Sequence, residues 1–284
     1  AAAGGGLFVQ ESSPIIVNCT FTGNSADLFG GGIFAKECDD AEINNCNFVK
    51  NSSHAGGDET GLGGGLFFGT YENTCSAIIT NCTFTSNTTD GGGGGLALWR
   101  ATVEVIDCIF SSNNADSDGG GVYDSSIDSH YQSCTFSNNE AGEWGGGVKI
   151  SRLANQGPFV MDDCNFIGNA TINPMDDPSD LSNGGGLMCI DAIADLSNCS
   201  FEDNTSTWLG GAIDVFDGSI NLTDCEFTSN GADYGGAINC WGSWEETEES
   251  EVNLTSNTFT NNTAKAYGGA IHLANNSSVH LVGC

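Results

Sequence analysis

Apolar and polar residues alternate in short stretches along the whole chain, a spacing typical of β-strands. In one kind of stretch, apolar residues lie three and five positions before a cysteine, as Val105 and Val103 do before Cys108. Phe110 follows two positions after that cysteine, and Asn113 three positions after the phenylalanine. Because the step between apolar positions changes from two to three before the cysteine, the pattern predicts two short strands joined by a bend.

The motif Cys-x-Phe-x-x-Asn recurs throughout the chain, and its cysteines are Cys19, Cys46, Cys82, Cys108, Cys134, Cys164, Cys199 and Cys225. A further copy, from Asn257 to Asn262, lacks the cysteine, and Cys284 would begin another. A second motif, Gly-Gly-(Gly or Ala)-apolar, alternates with the first, and its apolar residues are Leu7, Ile33, Leu66, Leu96, Val122, Val148, Leu187, Ile213, Ile238 and Ile271. Most copies are 25 or 26 residues apart, with longer steps of 30 to 39. This regularity predicts one repeat domain over residues 1–284, with insertions in some repeats.

Each repeat supplies three predicted strands, each with one apolar face, and cannot bury those faces alone. Stacked copies can, which predicts an all-β fold, a right-handed parallel β-helix of about ten rungs with three short strands per rung. Equivalent residues then form columns: phenylalanines in the core, asparagines bonded from rung to rung at a corner that tolerates left-handed backbone angles, and glycines at a corner that requires positive φ.

The composition and net charge of the chain limit the kinds of ligand that it can bind. The chain has six Lys and Arg against 37 Asp and Glu, so we expect no nucleic acid and no anionic membrane surface among its ligands. It has no apolar run of about 20 residues, and we expect no direct membrane insertion. Since it opens and closes within repeats, we expect a fragment of a longer extracellular protein. An acidic run, residues 245–251, reads as a solvated loop or a cation-binding patch.

The 13 cysteines do not read as an ordinary disulfide framework. Nine of them fall in the repeat column, where side chains pointing the same way suit buried free thiols better than bridges. Cys189 and Cys240 are expected to point inward, two rungs apart. Cys38 and Cys75 lie in loops of adjacent rungs, seven or eight residues before a column cysteine, and we predict a disulfide between them. No cysteine and histidine spacing indicates zinc.

Twelve Asn-x-Ser/Thr sequons predict N-glycosylation of a secreted protein. The favoured acceptors are Asn18, Asn81, Asn198, Asn221, Asn253, Asn261, Asn275 and Asn276. Four others belong to the predicted buried asparagine column and rank lower: Asn51, Asn87, Asn169 and Asn204.

The alternating Gly-Gly-Ala-Ile phrases, at Ile213, Ile238 and Ile271, and the Phe-x-x-Asn phrases resemble the repeats of chlamydial-type polymorphic outer membrane proteins and related β-helical surface proteins. The resemblance covers nearly the whole chain. It implies a right-handed β-helix displayed outside the cell, commonly as an adhesin.

Three functions remain open. The first is a non-enzymatic structural or adhesive rod, secreted or on the cell surface, that associates end to end or side by side, or binds other surface or matrix proteins or glycans. The second is a polysaccharide lyase or hydrolase, for which Asp107, Asp162, Asp163 and Asp224 are candidate carboxylates. The third is a carbohydrate-binding module that uses aromatic residues beside the glycine corners, Trp144, Trp208, Tyr234 and Tyr267, or the Trp241 and Trp244 pair. We favour the first and expect no catalytic residues and no cofactor; loosely bound calcium stays open, without a supporting motif.

Overall fold

The computed structural model describes residues 2–55, 60–70, 75–151, 158–172, 182–243 and 250–284. In these ranges the chain forms 38 strands in four parallel sheets. Sheet 1 contains β1 (Leu7–Gln10), β5 (Ile33–Lys36), β9 (Leu66–Gly69), β13 (Leu96–Trp99), β17 (Val122–Ser125), β21 (Val148–Ser151), β25 (Leu187–Ile190), β29 (Ile213–Phe216), β33 (Ile238–Trp241) and β37 (Ile271–Ala274). Sheet 2 contains β2 (Ile15–Val17), β6 (Ala41–Asn44), β10 (Cys75–Thr80), β14 (Ala101–Ile106), β18 (Asp128–Gln132), β22 (Phe159–Asp162), β26 (Ile193–Ser197), β30 (Ser219–Thr223), β34 (Ser250–Thr255) and β38 (Ser277–Val282).

The other two sheets have shorter strands. Sheet 3 contains β3 (Thr20–Thr22), β7 (Asn47–Val49), β11 (Thr83–Thr85), β15 (Ile109–Ser111), β19 (Thr135–Ser137), β23 (Asn165–Ile167), β27 (Ser200–Glu202), β31 (Glu226–Thr228) and β35 (Thr258–Thr260). Sheet 4 contains β4 (Ser25–Ala26), β8 (Ser52–Ser53), β12 (Thr88–Thr89), β16 (Asn114–Ala115), β20 (Glu140–Ala141), β24 (Ala170–Thr171), β28 (Thr205–Ser206), β32 (Gly231–Tyr234) and β36 (Thr263–Tyr267). Each sheet takes every fourth strand of the chain, so the predicted parallel β-helix of about ten rungs is confirmed.

The number of strands per rung differs from the prediction. A rung has four strands, not three, because the chain stays extended for a few residues after the corner asparagine and pairs there with its neighbours. Most strands of sheet 4 have two residues and point one small side chain inward, such as Ala26 or Ala115. One inward residue per strand leaves no alternation to read from the sequence.

Phenylalanines form the predicted central column. Phe84 pairs with Phe48 on one side and Phe110 on the other, and all three rings are fully buried. Their centroids lie 4.6 and 4.7 Å apart with nearly parallel planes. Burying one such ring contributes about 1.5–3 kcal/mol, so this column is a main source of the stabilisation of the rod.

Corner asparagines form a second continuous column. Asn113 Nδ2 donates to Asn139 Oδ1 at 3.0 Å and to the carbonyl of Phe84 at 2.9 Å, and its Oδ1 accepts from the backbone N–H and the Nδ2 of Asn87. The same links recur from Asn24 to Asn262. The predicted ladder is confirmed, but the left-handed position lies one residue earlier, for example at Ser112 with φ 54°.

The glycine corner follows from close packing of the backbone. Gly63 has φ 68°, as predicted, and a Cβ on the next residue, Gly64, would lie 2.4 Å from the carbonyl oxygen of Thr88. No side chain fits there without moving the neighbouring rung. The corner therefore requires glycine for two separate reasons.

Seven of the nine column cysteines are buried, as predicted, and all nine are free thiols in the structure; Cys19 and Cys284, at the two ends of the column, are half-buried and exposed. Cys108 is fully buried, and its Sγ donates to the carbonyls of Ile106 and Ile79 at 3.2 and 3.5 Å. Cys189 and Cys240 are buried on either side of Val215, two rungs apart as expected.

Cys38 and Cys75 are also buried free thiols in the structure. They lie in adjacent rungs, where the N–H of Ser76 donates to the carbonyl of Cys38 at 3.1 Å. Burial raises the pKa of Cys75 to about 12. The predicted disulfide stays a prediction.

One polar network interrupts the core. Asp124 takes an inward position between Leu98 and Ile150 and is fully buried. Its Oδ2 accepts hydrogen bonds from Tyr131 Oη at 2.6 Å and Ser129 Oγ at 2.7 Å. Burial raises the pKa of this carboxyl, which favours its protonated form in the folded state.

Candidate ligand-binding site

The outer face of sheet 1 is apolar in β5, β9 and β13, which sequence reasoning missed. Phe34, Phe67 and Ala97 point away from the core, yet each is at least 94% buried, because Phe29 and Leu62 from the preceding corner fold over them. The signal was present in the sequence: an apolar residue also occupies the position between the two inward residues of these strands. Sheet 1 thus carries a second, smaller apolar layer on its outer side.

Farther along this face the chain encloses a positive charge of its own. Lys149 is 6% exposed, and its Nζ lies 2.7 Å from Asp118 Oδ2. The same nitrogen lies 4.9 Å from the ring centroids of both Tyr123 and Trp144. Two aromatic rings and one carboxylate therefore surround the ammonium group on the outer face of the sheet.

At β29, β33 and β37 the outer face opens into a cavity of about 280 Å³, the aromatic groove. Its aromatic walls are Trp208, Tyr234 and Trp241. The Trp208 ring stands nearly perpendicular to Tyr234, at 86°, and to Trp241, at 72°, with both centroid distances 6.4 Å. These rings hold one another edge to face, a geometry that fixes their orientation before any ligand arrives.

Polar side chains form the floor of the aromatic groove. His272 Nδ1 donates to Asn239 Oδ1 at 2.7 Å, and Asn239 Nδ2 donates to Asp214 Oδ1 at 2.6 Å. Trp241 Nε1 reaches the other carboxylate oxygen, Asp214 Oδ2, at 3.4 Å. Asp214 is fully buried, and burial raises its pKa to about 7, while burial lowers the pKa of His272. A buried carboxyl with a raised pKa therefore lies beneath Asn239 and Trp241, which line the groove.

The predicted aromatic stripe is brought together only in part. Tyr267 lies beside Tyr234, with ring centroids 5.8 Å apart, but is not among the residues that line the groove. Trp144 is separated from them along the corner column by Asn183 and Leu209, and packs over Lys149. Trp241 lines the groove, whereas Trp244 and residues 245–249 lie outside the described residues.

The candidate catalytic aspartates do not form a pair. Asp107, Asp163 and Asp224 occupy one exposed corner column, but Ser133 and Asn198 lie between them. Asp162 instead lies within hydrogen-bonding distance of His130, with Oδ2 2.9 Å from Nε2. Among the residues that the structure describes, no group of three or more His, Cys, Asp or Glu side chains is placed to hold a metal ion.

The predicted glycosylation sites separate by exposure. The exposed set is Asn18, Asn81, Asn198, Asn221, Asn261, Asn275 and Asn276, with Asn253 half-buried. The lower-ranked set is fully buried, namely Asn51, Asn87, Asn169 and Asn204. In that set each Nδ2 already donates two hydrogen bonds within the asparagine column. The expected burial is confirmed; attachment of glycans stays a prediction.

Comparison with known proteins agrees with the fold. The chain matches the right-handed beta helix region family over residues 5–185 and therefore belongs to the right-handed β-helix proteins. The Chlamydia polymorphic membrane protein repeat matches at residues 198–215 and 258–274, which confirms the resemblance drawn from the motifs.

Other comparisons add little about function. Among solved structures, the chain is similar to full-length tailspike protein 2 from Escherichia coli O157:H7 bacteriophage CAB120, with 11% identity and a TM-score of 0.49. That similarity covers 97% of this chain and 38% of the tailspike chain. No curated protein matches the sequence. Within the described residues, no helix has the length and hydropathy that crossing a bilayer requires.

Proposed function

We propose that this chain is the rod of a non-enzymatic adhesive protein, secreted or held at the cell surface, and that the aromatic groove is its binding site. The observation that carries the proposal is the groove itself. Trp208, Tyr234 and Trp241 are only partly buried. Apolar side chains elsewhere on the outer face of sheet 1, by contrast, are covered by neighbouring residues. Exposed aromatic surface held in a fixed geometry is typical of a site for a ligand or partner.

The rod is suited to presenting such a site. Stacked phenylalanines and bonded asparagines run from the first rungs to the last, so the groove rests on a continuous support rather than on a loop. Rigid support lowers the entropy lost on binding. The polymorphic membrane protein repeats and the exposed sequons are consistent with a place outside the cell.

The groove is poorly equipped for polysaccharide cleavage. Glycoside hydrolysis usually requires two carboxylates on either side of the scissile bond. Among the described residues that line the groove none is a carboxylate, and Asp214 lies beneath them. A lyase requires a base and a cation, but Lys149 is enclosed by its own ion pair and Lys265 bonds to Asp233. We therefore infer a binding role without turnover.

An adhesion assay tests the proposal. Beads coated with the purified chain are applied to arrays of glycans and matrix proteins and to intact cells, alongside beads carrying Trp241→Leu and Trp99→Leu. Trp99 is a matched control because it occupies the same outer column of sheet 1, far from the groove. We expect Trp241→Leu beads to lose retention and Trp99→Leu beads to keep it.

Equal retention of all three bead types would refute the groove as the adhesive site. The same preparations are incubated with neutral and acidic polysaccharides, and reducing ends and unsaturated uronates are measured. We expect neither product to accumulate. Release of either one by the wild-type chain, abolished in Asp214→Asn, would replace the adhesive proposal with the enzymatic one.

A further inference from the structure

The aromatic groove also indicates the chemistry of its ligand. We propose that it binds a quaternary ammonium group, such as the trimethylammonium of choline or of a methylated lysine, presented on a larger molecule. This inference rests on the proposed adhesive function and specifies what the site recognises. Four observations support it: the angles between the aromatic rings, the polar residues of the groove lining, the buried carboxyl of Asp214, and the similar surroundings of the Lys149 ammonium group.

Lys149 shows how this face of the molecule accommodates a cation. Its ammonium lies between two aromatic rings at 4.9 Å and against one carboxylate at 2.7 Å, all on the outer side of sheet 1. At the groove, the lining residue Asn239 and the buried Asp214 beneath it stand in the same column of the sheet as Lys149. Aromatic rings and a carboxyl again lie close together, but here the rings line a cavity that is open to the outside.

The perpendicular rings favour a compact cation. Trp208, Tyr234 and Trp241 line one cavity, and the plane of Trp208 lies at 86° and 72° to the other two, so the three rings do not form one flat surface. A ring attracts positive charge at its face. A flat sugar ring stacks best on one extended aromatic face. The cavity of about 280 Å³ is also at the lower end for a ligand site and suits a headgroup rather than an oligosaccharide.

The state of the floor distinguishes among possible ligands. Asn239 and Trp241 direct their N–H groups to Asp214, and the side-chain carbonyl of Asn239 accepts from His272. The N–H groups of Asn239 and Trp241 that bond to Asp214 are thus directed away from the cavity, and His272 and Asn275 supply the remaining polar side chains of its lining. A trimethylammonium group has no donors to satisfy, and its methyl groups pack on the rings while its charge remains close to the ring faces.

The negative charge of the protein also favours a cationic ligand. Asp214 lies directly beneath Asn239 and Trp241, two residues that line the groove, so a bound cation faces a buried carboxyl through one layer of side chains. The whole chain has a formal net charge of −31, which raises the local concentration of cations and repels anions. Burial of the carboxyl keeps this attraction from being fully screened by salt.

Titration of the intact chain tests the proposal, with tryptophan fluorescence and calorimetry as readouts. The probes are choline, tetramethylammonium, dimethylbutanol as the neutral carbon isostere of choline, ammonium chloride, and a panel of neutral monosaccharides. We expect choline and tetramethylammonium to bind and the neutral isostere to bind about tenfold more weakly, since the cation–π contribution is lost. We expect no saturable binding of ammonium or of the monosaccharides.

Two variants and one control localise the effect. Trp241→Leu and the nearly isosteric Asp214→Asn should each weaken choline binding by about tenfold, and Trp99→Leu should leave it unchanged. Circular dichroism of each variant verifies the fold; if Trp241→Leu unfolds, the comparison of choline with its neutral isostere on the wild-type chain still decides the matter. Equal binding of choline and the isostere, or saturable binding of monosaccharides in place of choline, would overturn the inference.

The outcomes separate this inference from the adhesive function. If choline does not bind but Trp241→Leu beads still lose adhesion, the groove is adhesive and its ligand is of another class. If choline binds but adhesion is the same in all bead types, the cation site stands and the adhesive function fails.

Discussion

Replacing Asn113 by alanine should destabilise the rod strongly, although the change removes only a few atoms. The side chain is 1% exposed and takes part in four hydrogen bonds: two from its Nδ2, to Asn139 and to the carbonyl of Phe84, and two to its Oδ1 from Asn87. At a net 0.5–1.5 kcal/mol each, the loss comes to about 2–6 kcal/mol. The backbone N–H of Asn87, left in the core without its acceptor, places the expected value in the upper half of that range.

Urea unfolding followed by far-UV circular dichroism measures this loss, and amide hydrogen exchange localises it. A stacked array need not unfold in one step, so exchange at β11, β15 and β19 is the more direct readout. Asn47→Ala is the matched control, because Asn47 is exposed and only accepts a bond from Thr83 Oγ1 at 2.7 Å. The control should change stability by less than about 0.5 kcal/mol. If both variants unfold at the same urea concentration with the same exchange pattern, the hydrogen bonds of the asparagine column do not contribute the expected free energy of unfolding.

Three further predictions concern ionisation, reactivity and modification. Because the folded-state pKa of Asp214 is raised to about 7, the stability it contributes is present below its unfolded pKa of about 4 and declines as pH rises through 7. Asp214→Asn should therefore flatten the unfolding free energy between about pH 4 and 7, measured by urea titrations; an unchanged profile would contradict this. Iodoacetamide should alkylate exposed Cys284 but not buried Cys108 until urea is added, as peptide mass spectrometry will report, and equal labelling of both would refute burial of the column. Glycopeptide mapping of the chain secreted from eukaryotic cells should find sugar on exposed Asn81 and none on buried Asn87, whose amide hydrogens are committed to the column.

The columns could be predicted because the same residue type occupies the same motif position in nearly every repeat. Phe84 and Phe110 occupy the same position of the motif, and stacking of identical units forces them together. The inward strand residues, the buried asparagines and the free thiols follow from the same argument. One-dimensional periodicity is sufficient where every contact joins equivalent positions.

The fourth strand and the groove could not be predicted in this way. A strand such as Ser25–Ala26 has too few residues to display a period. The groove depends on how Trp208, Trp241 and Tyr234 from three rungs orient toward one another, and these residues are not equivalents in the repeat. Asp214 and Asn239 alternate outward from the core, so the sequence alone describes them as surface residues, whereas aromatic side chains cover them.

Rung length varies widely in this chain, while the strands of sheet 1 keep their register. Val148 and Leu187 are direct partners across 39 residues of sequence, and Leu96 and Val122 are direct partners across 26. The ladders of sheet 1 on either side of this longest rung continue without a slip, and sheet 4 shifts register once, between Ala232 and Tyr234. Foreign peptides that lengthen the connection between β24 and β25 should accordingly leave the stack undisturbed, which makes this chain a candidate scaffold for displaying epitopes at measured intervals, about 4.8 Å for each rung that separates them.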